Sequence, residues 1–134
     1  MSGSAPRQHP PPLDLTFPAD SAQLAPVRAT LRSWLGRCGL SRRAAEDVLI
    51  AVGEACANAI EHGLRHNPGR IRLTAEASAT RLRVTVRDTG RWRPGPSGDG
   101  YRGHGIALMR AVMHQVDIHL DPAGTTVDMQ REIG

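Results

Sequence analysis

The most constraining feature of the chain is a helical pattern between Ser41 and Gly63 that carries both a polar row and an apolar stripe. Glu54, Asn58 and His62 recur every four residues, and four residues turn a helix by about 400°, so successive members are offset by roughly 40° along one row. The stripe beside this row is typical of a helix face packed on a core; its members are Val48, Val52, Ala55, Cys56, Ala59 and Ile60. The polar row is therefore expected at the edge of the core, where a cleft can open.

A carboxylate and a carboxamide at such an edge have two interpretations. They can bind a metal ion and orient a nucleophile. They can equally be the ordinary polar flank of an amphipathic helix. The row taken alone favours neither interpretation.

Two motifs further along the chain add to this row. Residues 82–87 alternate apolar and polar side chains, which predicts a strand that runs into Asp88-Thr89-Gly90. Gly103-His104-Gly105 precedes an apolar segment and predicts a glycine turn that opens a helix from about Gly105 to His114. Free backbone N–H groups at such a helix start bind anions. Each motif is weak alone, but the three in this order are specific.

In this order the motifs resemble the boxes of the GHKL (Bergerat-fold) ATPases, and the chain is most similar to the small bacterial anti-sigma-factor serine/threonine kinases. Glu54 through Gly63 resembles the first box, Asp88-Thr89-Gly90 the second, and Gly103 through Met109 the third; Gly124-Thr125-Thr126-Val127 resembles the family's last loop and strand. The resemblance implies an α+β fold, a two-layer sandwich of a mixed, mostly antiparallel β-sheet with helices on one face.

The resemblance also implies a site for ATP and Mg²⁺. Asn58 would supply the Mg²⁺ ligand, Glu54 would be the catalytic base for the attacking hydroxyl, and Asp88 would accept a hydrogen bond from the adenine amino group. The other expected nucleotide contacts are His62, Gly90, Gly103, Gly105, Ile106 and Thr125.

Some of these roles have alternatives. Glu54 can instead face solvent, and His62 can instead interact with the dipole at the helix C-terminus. Trp92 stands where many relatives have another glycine of the second box, so it can stack near adenine, shield the pocket or weaken nucleotide binding. His104 occupies a position that varies in the family.

Periodicity and turn residues predict the element order β-α-α-β-β-loop-α-β-β. The first helix is expected to be capped by Asp20 or Ser21 and to close near Gly39, and Ser41 is expected to cap the second. Residues 91–102, rich in glycine and proline, are expected to form a mobile loop that closes over nucleotide.

Length and composition agree with one domain. A chain of 134 residues can bury one core, and we expect residues 1–12 to be a disordered leader and residues 13–134 to form the ATP-binding domain. No long apolar run occurs, which predicts no membrane span. Cys38 and Cys56 show no ligand spacing, which predicts buried thiols in a reducing cytoplasm.

The net charge of +4 raises the question of nucleic acid. One Phe, one Tyr and two Trp leave little aromatic surface for stacking bases, so we expect no direct nucleic-acid partner. The arginines concentrated between residues 81 and 93 favour an acidic protein partner or simple solvation.

The resemblance implies a cytoplasmic kinase that phosphorylates a serine of a STAS-domain (anti-anti-sigma) antagonist and sequesters a sigma factor. Relatives often dimerise, so a homodimer is a further expectation. The alternative is a nucleotide-binding or degenerate module that captures partners without kinase activity. A third hypothesis is a regulator whose partner is a phosphatase or another non-sigma protein.

Overall fold

The structure, a computed structural model, describes residues 9–63, 69–89, 99–122 and 124–133. A short 3-10 helix at Ser21–Gln23 precedes the first α-helix. The remaining elements are β1 (Leu13–Pro18), α1 (Leu24–Arg37), α2 (Arg42–Gly63), β2 (Arg70–Ala77), β3 (Arg81–Asp88), α3 (Asp99–Val112), β4 (Gln115–Asp121) and β5 (Gly124–Glu132). This order confirms the α+β prediction.

The five strands form one sheet in the order β1-β2-β3-β5-β4, and every neighbouring pair is antiparallel. The parallel pairing of a mixed sheet is therefore not found among the described strands. The reason is topological: α3 carries the chain to the far edge of the sheet, where β4 runs parallel to β3, and β5 then turns back and fills the gap between them.

The core lies between the sheet and the helices on one of its faces. Alternate residues of the central strands point to that face, and Leu73, Val84 and Met129 are completely buried there. Cys38 and Cys56 are buried free thiols, as predicted. Burial raises the pKa of Cys56 to about 12, so this thiol stays protonated and unreactive near neutral pH.

The predicted end of α1 and start of α2 agree with the structure, whereas Asp20 caps the 3-10 helix before α1, and Gln23, the N-cap of α1, makes no side-chain hydrogen bond. The Asp20 carboxylate accepts a hydrogen bond from the N–H of Ala22 at 3.0 Å, and the Ser41 hydroxyl accepts one from the N–H of Ala44 at 3.1 Å. Gly39, with φ 77°, ends the first helical segment in the left-handed conformation that favours glycine.

The predicted start of the third helix is wrong. Helix α3 begins at Asp99 rather than near Gly105, so residues 99–102 are helical and not part of a loop. Residues 91–98 of the expected loop lie outside the described residues. Glycines weaken a helix by about 1 kcal/mol each, but α3 packs along α2, and this tertiary packing outweighs local preference.

The end of the predicted leader is anchored to α1. The indole N–H of Trp34 donates to the carbonyl oxygen of Pro11 at 2.8 Å, which ties the segment before β1 to the helix layer. Residues 1–8 lie outside the described residues. No helix in the described ranges is both long and apolar enough to cross a bilayer.

Strands β3 and β5 approach each other unusually closely at Gly124. Its φ of 152° is rare for residues with a side chain, and a Cβ atom there would lie 2.0 Å from the carbonyl oxygen of Asp88 and 3.1 Å from the Cα of Thr89. Only glycine lets β5 begin at this position beside the end of β3.

Gly124→Ala is therefore expected to lower the free energy of unfolding by about 1–3 kcal/mol, because the backbone atoms of β3 and β5 would have to move apart. Chemical denaturation of the variant measures this loss. Gly36→Ala is the matched control, since a Cβ atom on that helical glycine of α1 meets nothing within 4 Å. Equal stability of Gly124→Ala and wild-type protein would contradict the close approach.

A half-buried ion pair joins the end of β5 to the start of α2. The Arg131 guanidinium lies 2.8 Å from the Asp47 carboxylate, and their side chains are only 15% and 21% exposed. The pair between Arg72 and Asp14 on the open face of the sheet has a distance of 2.7 Å but is more than half exposed. Burial should make the first pair the stronger contribution to stability.

Asp47→Asn is expected to cost about 1.5–3 kcal/mol of unfolding free energy, because it weakens a charge-assisted hydrogen bond that water cannot fully replace. Asp14→Asn is the matched control and should change the midpoint of denaturation little. A larger loss of unfolding free energy from Asp14→Asn than from Asp47→Asn would contradict the expectation that the less exposed ion pair is the stronger one.

Candidate functional site

Helix α2 holds the predicted carboxylate and carboxamide at the edge of the core. Asn58 is 5% exposed and Glu54 is half-buried. The side-chain nitrogen of Asn58 is buried without a hydrogen-bond partner in the part of the chain that the structure describes. A buried donor without a partner costs stability, and an acceptor atom of a bound molecule would remove that cost.

Helix α3 crosses this pair at Gly105. A Cβ atom built on Gly105 would lie 3.2 Å from Oε1 of Glu54, 3.2 Å from Nδ2 of Asn58 and 3.6 Å from Oδ1 of Asn58. The backbone of α3 therefore passes close to both side chains, and a larger residue at this position would crowd them. The first and third boxes, about fifty residues apart in sequence, meet at this point.

The second polar pair of the site lies across two strands. Asp88 at the end of β3 is the register partner of Thr125 in β5, and the two residues are 4% and 1% exposed. Thr125 shares the strand face of Val127 and Met129, as predicted, and its hydroxyl has no hydrogen-bond partner among the described residues. Register partners have Cβ atoms about 4.5–5.5 Å apart, so carboxylate and hydroxyl lie side by side.

The two pairs lie toward the same end of the domain. The Asp47–Arg131 ion pair fixes the start of α2 near the end of β5. From there α2 covers about 16 Å to Asn58 at 1.5 Å per residue, and β5 covers about 20 Å back to Thr125 at 3.3 Å per residue. These similar lengths are compatible with one site shared by the polar row and the Asp88–Thr125 pair, as the motifs predict.

The remaining predicted site residues are Ile106, which the structure describes, and residues that it does not describe in full. Ile106 is half-buried and packs against the core, so its contribution is apolar. His62 lies in the last turn of α2, and its side chain is outside the described part of the chain. Gly90 and Trp92 also lie outside the described residues.

The expected contact of the Gly103 and Gly105 N–H groups with phosphate stays a prediction, because in this conformation both glycines lie inside α3. A helix leaves unpaired only the N–H groups of its first turn. Because α3 begins at Asp99, that turn precedes Gly103, and both glycines fall within the hydrogen-bonded part of the helix.

The donor set suits a magnesium ion that keeps water ligands. Mg²⁺ prefers oxygen ligands and is usually held by one or two protein groups together with phosphates. The amide oxygen of Asn58 is such a group, and it lies beside the Glu54 carboxylate where α3 packs on α2. The residues present therefore fit the ion that the motifs imply.

Sequence reasoning missed Gly124 as a site residue. Its close approach to Asp88 sets the spacing of the Asp88–Thr125 pair. The available signal was a glycine that directly precedes Thr125 after the turn at Asp121 and Pro122. Such a glycine is too common for its sequence position alone to reveal the contact.

Comparison with known proteins identifies the family of the chain. Residues 17–131 match the profile of the histidine kinase-like ATPase domain. Serine-protein kinase RsbW of Staphylococcus epidermidis is 28% identical over 138 residues, which cover 90% of this chain and 86% of that protein. Serine-protein kinase RsbW of Bacillus licheniformis is 28% identical over 136 residues, with 89% and 84% covered.

A solved structure has the same fold. The crystal structure of the RsbU and RsbW domains of Rv1364c from Mycobacterium tuberculosis matches with a TM-score of 0.77 and 28% sequence identity, covering 92% of this chain. Only 32% of that longer chain is matched, so the present chain spans about a third of its length. With the match of residues 17–131, these results show that the chain belongs to the histidine kinase-like ATPase domain family.

Proposed function

We propose that the protein is an ATP-dependent serine/threonine kinase and anti-sigma factor. The observation that carries the proposal is the contact of Gly105 with both Glu54 and Asn58, because it joins a carboxylate, a buried amide and a glycine segment at one surface. The relatives named serine-protein kinase RsbW support the same reaction class.

Asn58 is the proposed protein ligand of Mg²⁺. When bound, the ion would neutralise charge on the β- and γ-phosphates. Asn58 offers its side-chain oxygen to the ion from a buried position, and its unpaired N–H groups would remain available to a phosphate or water oxygen. The buried position also fixes where the phosphates must lie relative to α2.

Asp88 is the proposed recognition group for adenine. Its buried carboxylate can accept a hydrogen bond from the exocyclic amino group, and the Thr125 hydroxyl beside it can donate to or accept from the base or a bridging water. Gly90, which follows two residues after Asp88, would allow the base to approach the backbone without a side chain between them.

Glu54 is the proposed general base. The oxygen of a substrate serine hydroxyl would bond to the γ-phosphorus of ATP, the bond between that phosphorus and the β–γ bridging oxygen would break, and ADP would leave. The hydroxyl proton would pass to the Glu54 carboxylate. The half-buried position of Glu54 beside Asn58 places this acceptor next to the proposed metal ligand.

Phosphate binding would require the first turns of α3 to rearrange. In the present conformation Gly103 and Gly105 lie inside the helix, so their N–H groups can reach phosphate only if the preceding turns open. Three glycines between residues 100 and 105 make this opening easier, because each weakens the helix by about 1 kcal/mol.

The proposed partners are a sigma factor and a STAS-domain antagonist whose serine receives the phosphoryl group, and the proposed location is the cytoplasm.

The open face of the sheet bears on the question of nucleic acid. There the Arg83 guanidinium pairs with Asp128, and Arg81 donates a hydrogen bond to Gln130. These contacts favour a solvated strand surface there over a nucleic-acid track.

Asn58→Ala is expected to abolish measurable Mg-ATP binding in calorimetric titration, because the variant loses the proposed metal ligand. Glu61→Ala is the control, since Glu61 is exposed on the same helix and should leave binding unchanged. Absence of Mg-ATP binding to the wild-type protein would refute the proposed function.

Glu54→Gln is expected to keep Mg-ATP affinity within about twofold but to lower phosphoryl transfer by roughly 10²–10⁴-fold, the usual contribution of a general base. Transfer of the labelled γ-phosphate to a purified STAS antagonist measures this, with the antagonist's serine replaced by alanine as the blank. Glu61→Gln is the matched control. If Glu54→Gln transfers phosphate at the wild-type rate, Glu54 is not the general base. If the wild-type protein binds ATP and the antagonist but transfers no phosphate, the result favours a module that captures partners without kinase activity.

A further inference from the structure

Strand β4 forms one edge of the sheet and holds an apolar side chain in solvent. Among the described strands it pairs only with β5, so the main-chain groups along its outer edge have no strand partner there. Leu120 of this strand is 54% exposed, the largest value for a bulky apolar residue in the described part of the chain. Such an edge is a template on which a further strand can be added, and the leucine provides apolar area to bury.

The opposite edge of the sheet is protected against strand addition, whereas β4 is not. Strand β1 contains Pro18 and follows three consecutive prolines at residues 10–12, and proline has no N–H group to donate to a neighbouring strand. Strand β4 has the sequence QVDIHLD, without proline, glycine, lysine or arginine. Its register with β5 is regular over all seven residues. These features leave β4 as the edge that can accept another strand.

The sequence of β4 is complementary to itself in an antiparallel pair. A twofold axis through Ile118 sets this residue opposite its own copy. The same axis sets Val116 opposite Leu120 of the second copy. It also sets Asp117 opposite His119 of the second copy. Because alternate residues share a face and register partners have Cβ atoms about 4.5–5.5 Å apart, apolar side chains meet on the core side and a carboxylate meets an imidazole on the open side.

Asp117 is the residue whose surroundings this pairing would improve most. Its register partner in β5 is Asp128, and like charges directly opposite each other destabilise a sheet. Asp128 pairs with Arg83, whereas the Asp117 carboxylate accepts a hydrogen bond from the Gln115 amide at 2.7 Å. His119 lies two residues further along the same face and is exposed. In the second copy it would bring a ring N–H donor to the Asp117 carboxylate.

We propose that the outer edge of β4 is a docking site for the β4 strand of a second copy of this chain, antiparallel about a twofold axis through Ile118. The two five-stranded sheets would join into one continuous sheet. Main-chain hydrogen bonds would supply affinity, and the side-chain pairs would set the register, because a slip of one residue would turn every apolar side chain to the wrong face. A strand of another protein would need the same order of apolar, acidic and histidine residues to fit equally well.

The docking edge does not depend on the proposed kinase function. Its contacts are made by β4, whereas the polar row of the nucleotide site lies on α2. The two surfaces come nearest at Leu120, which is the register partner of Thr125 in β5. The test uses the full chain without nucleotide, so failure of ATP binding and failure of docking are separate results.

Sedimentation equilibrium of the full chain, at protein concentrations from about 1 µM to about 1 mM, covers the range of weak and moderate association. The wild-type protein is expected to show a monomer–dimer equilibrium. Leu120→Asp would put a carboxylate opposite Val116 of the second copy and should raise the dimer Kd by at least about tenfold. Leu108→Asp is the matched control and should stay within about twofold, since Leu108 is also exposed, at 40%, but lies on α3.

A charge exchange tests the register of the two strands. His119→Asp would set two carboxylates opposite each other at both symmetric positions and should raise the dimer Kd by about fivefold to tenfold. The double variant Asp117→His/His119→Asp exchanges the two partners and restores each acid–imidazole pair. Its dimer Kd should therefore return to within about threefold of the wild-type value, a recovery that a general effect on folding would not produce.

Three outcomes would overturn the proposal. A chain that stays monomeric over the whole range would leave the edge to a strand of another protein. A dimer that is insensitive to both Leu120→Asp and His119→Asp would place the contact between copies at another surface. Failure of the double variant to recover affinity would contradict the pairing about Ile118. Chemical denaturation of each variant checks that all of them are folded.

Discussion

The structure depends on how α2 is held against the sheet. This helix buries an apolar stripe in the core while keeping Asn58, a buried amide, at the edge of the same face. The ion pair of Asp47 with Arg131 fixes one end of the helix, and the contact of Gly105 with Glu54 and Asn58 fixes its position against α3. A small rotation of α2 would move the polar row into the core or out to solvent. The packing of the apolar stripe in the core therefore also sets the position of the polar row.

Much of this arrangement can be predicted from sequence because it is local. The apolar periodicity of α2, its cap at Ser41 and its end at Gly63 depend on residues within a few turns of one another. The alternation in β2 and β3 likewise indicates which side chains face the core, and Thr125 is found on its predicted face. The family resemblance then groups residues that periodicity alone could not bring together.

The features that sequence does not reveal depend on distant contacts. Helix α3 extends back to Asp99 because it packs on α2, although the glycines of its first turns disfavour a helix. The sheet is antiparallel throughout because β5 enters between β3 and β4. The close approach of Gly124 to Asp88 results from that insertion. Charge concentration, in contrast, is visible in the sequence, but only the structure shows that Arg72 of the sheet pairs with Asp14 at 2.7 Å, whereas Arg32 of α1 lies 3.7 Å from Glu46.

The position of β5 in the sheet also affects when the site can form during synthesis. Of the five strands, β5 leaves the ribosome last, yet it pairs with both β3 and β4. Until it emerges, β3 has an unpaired edge and Asp88 lacks its register partner, so β1 to β3 can form only a partial sheet. Pairing across such a long sequence separation is slow because a large loop must close first. The nascent chain should therefore gain its nucleotide site in one late step, and an unfinished chain would expose the β3 edge to other proteins.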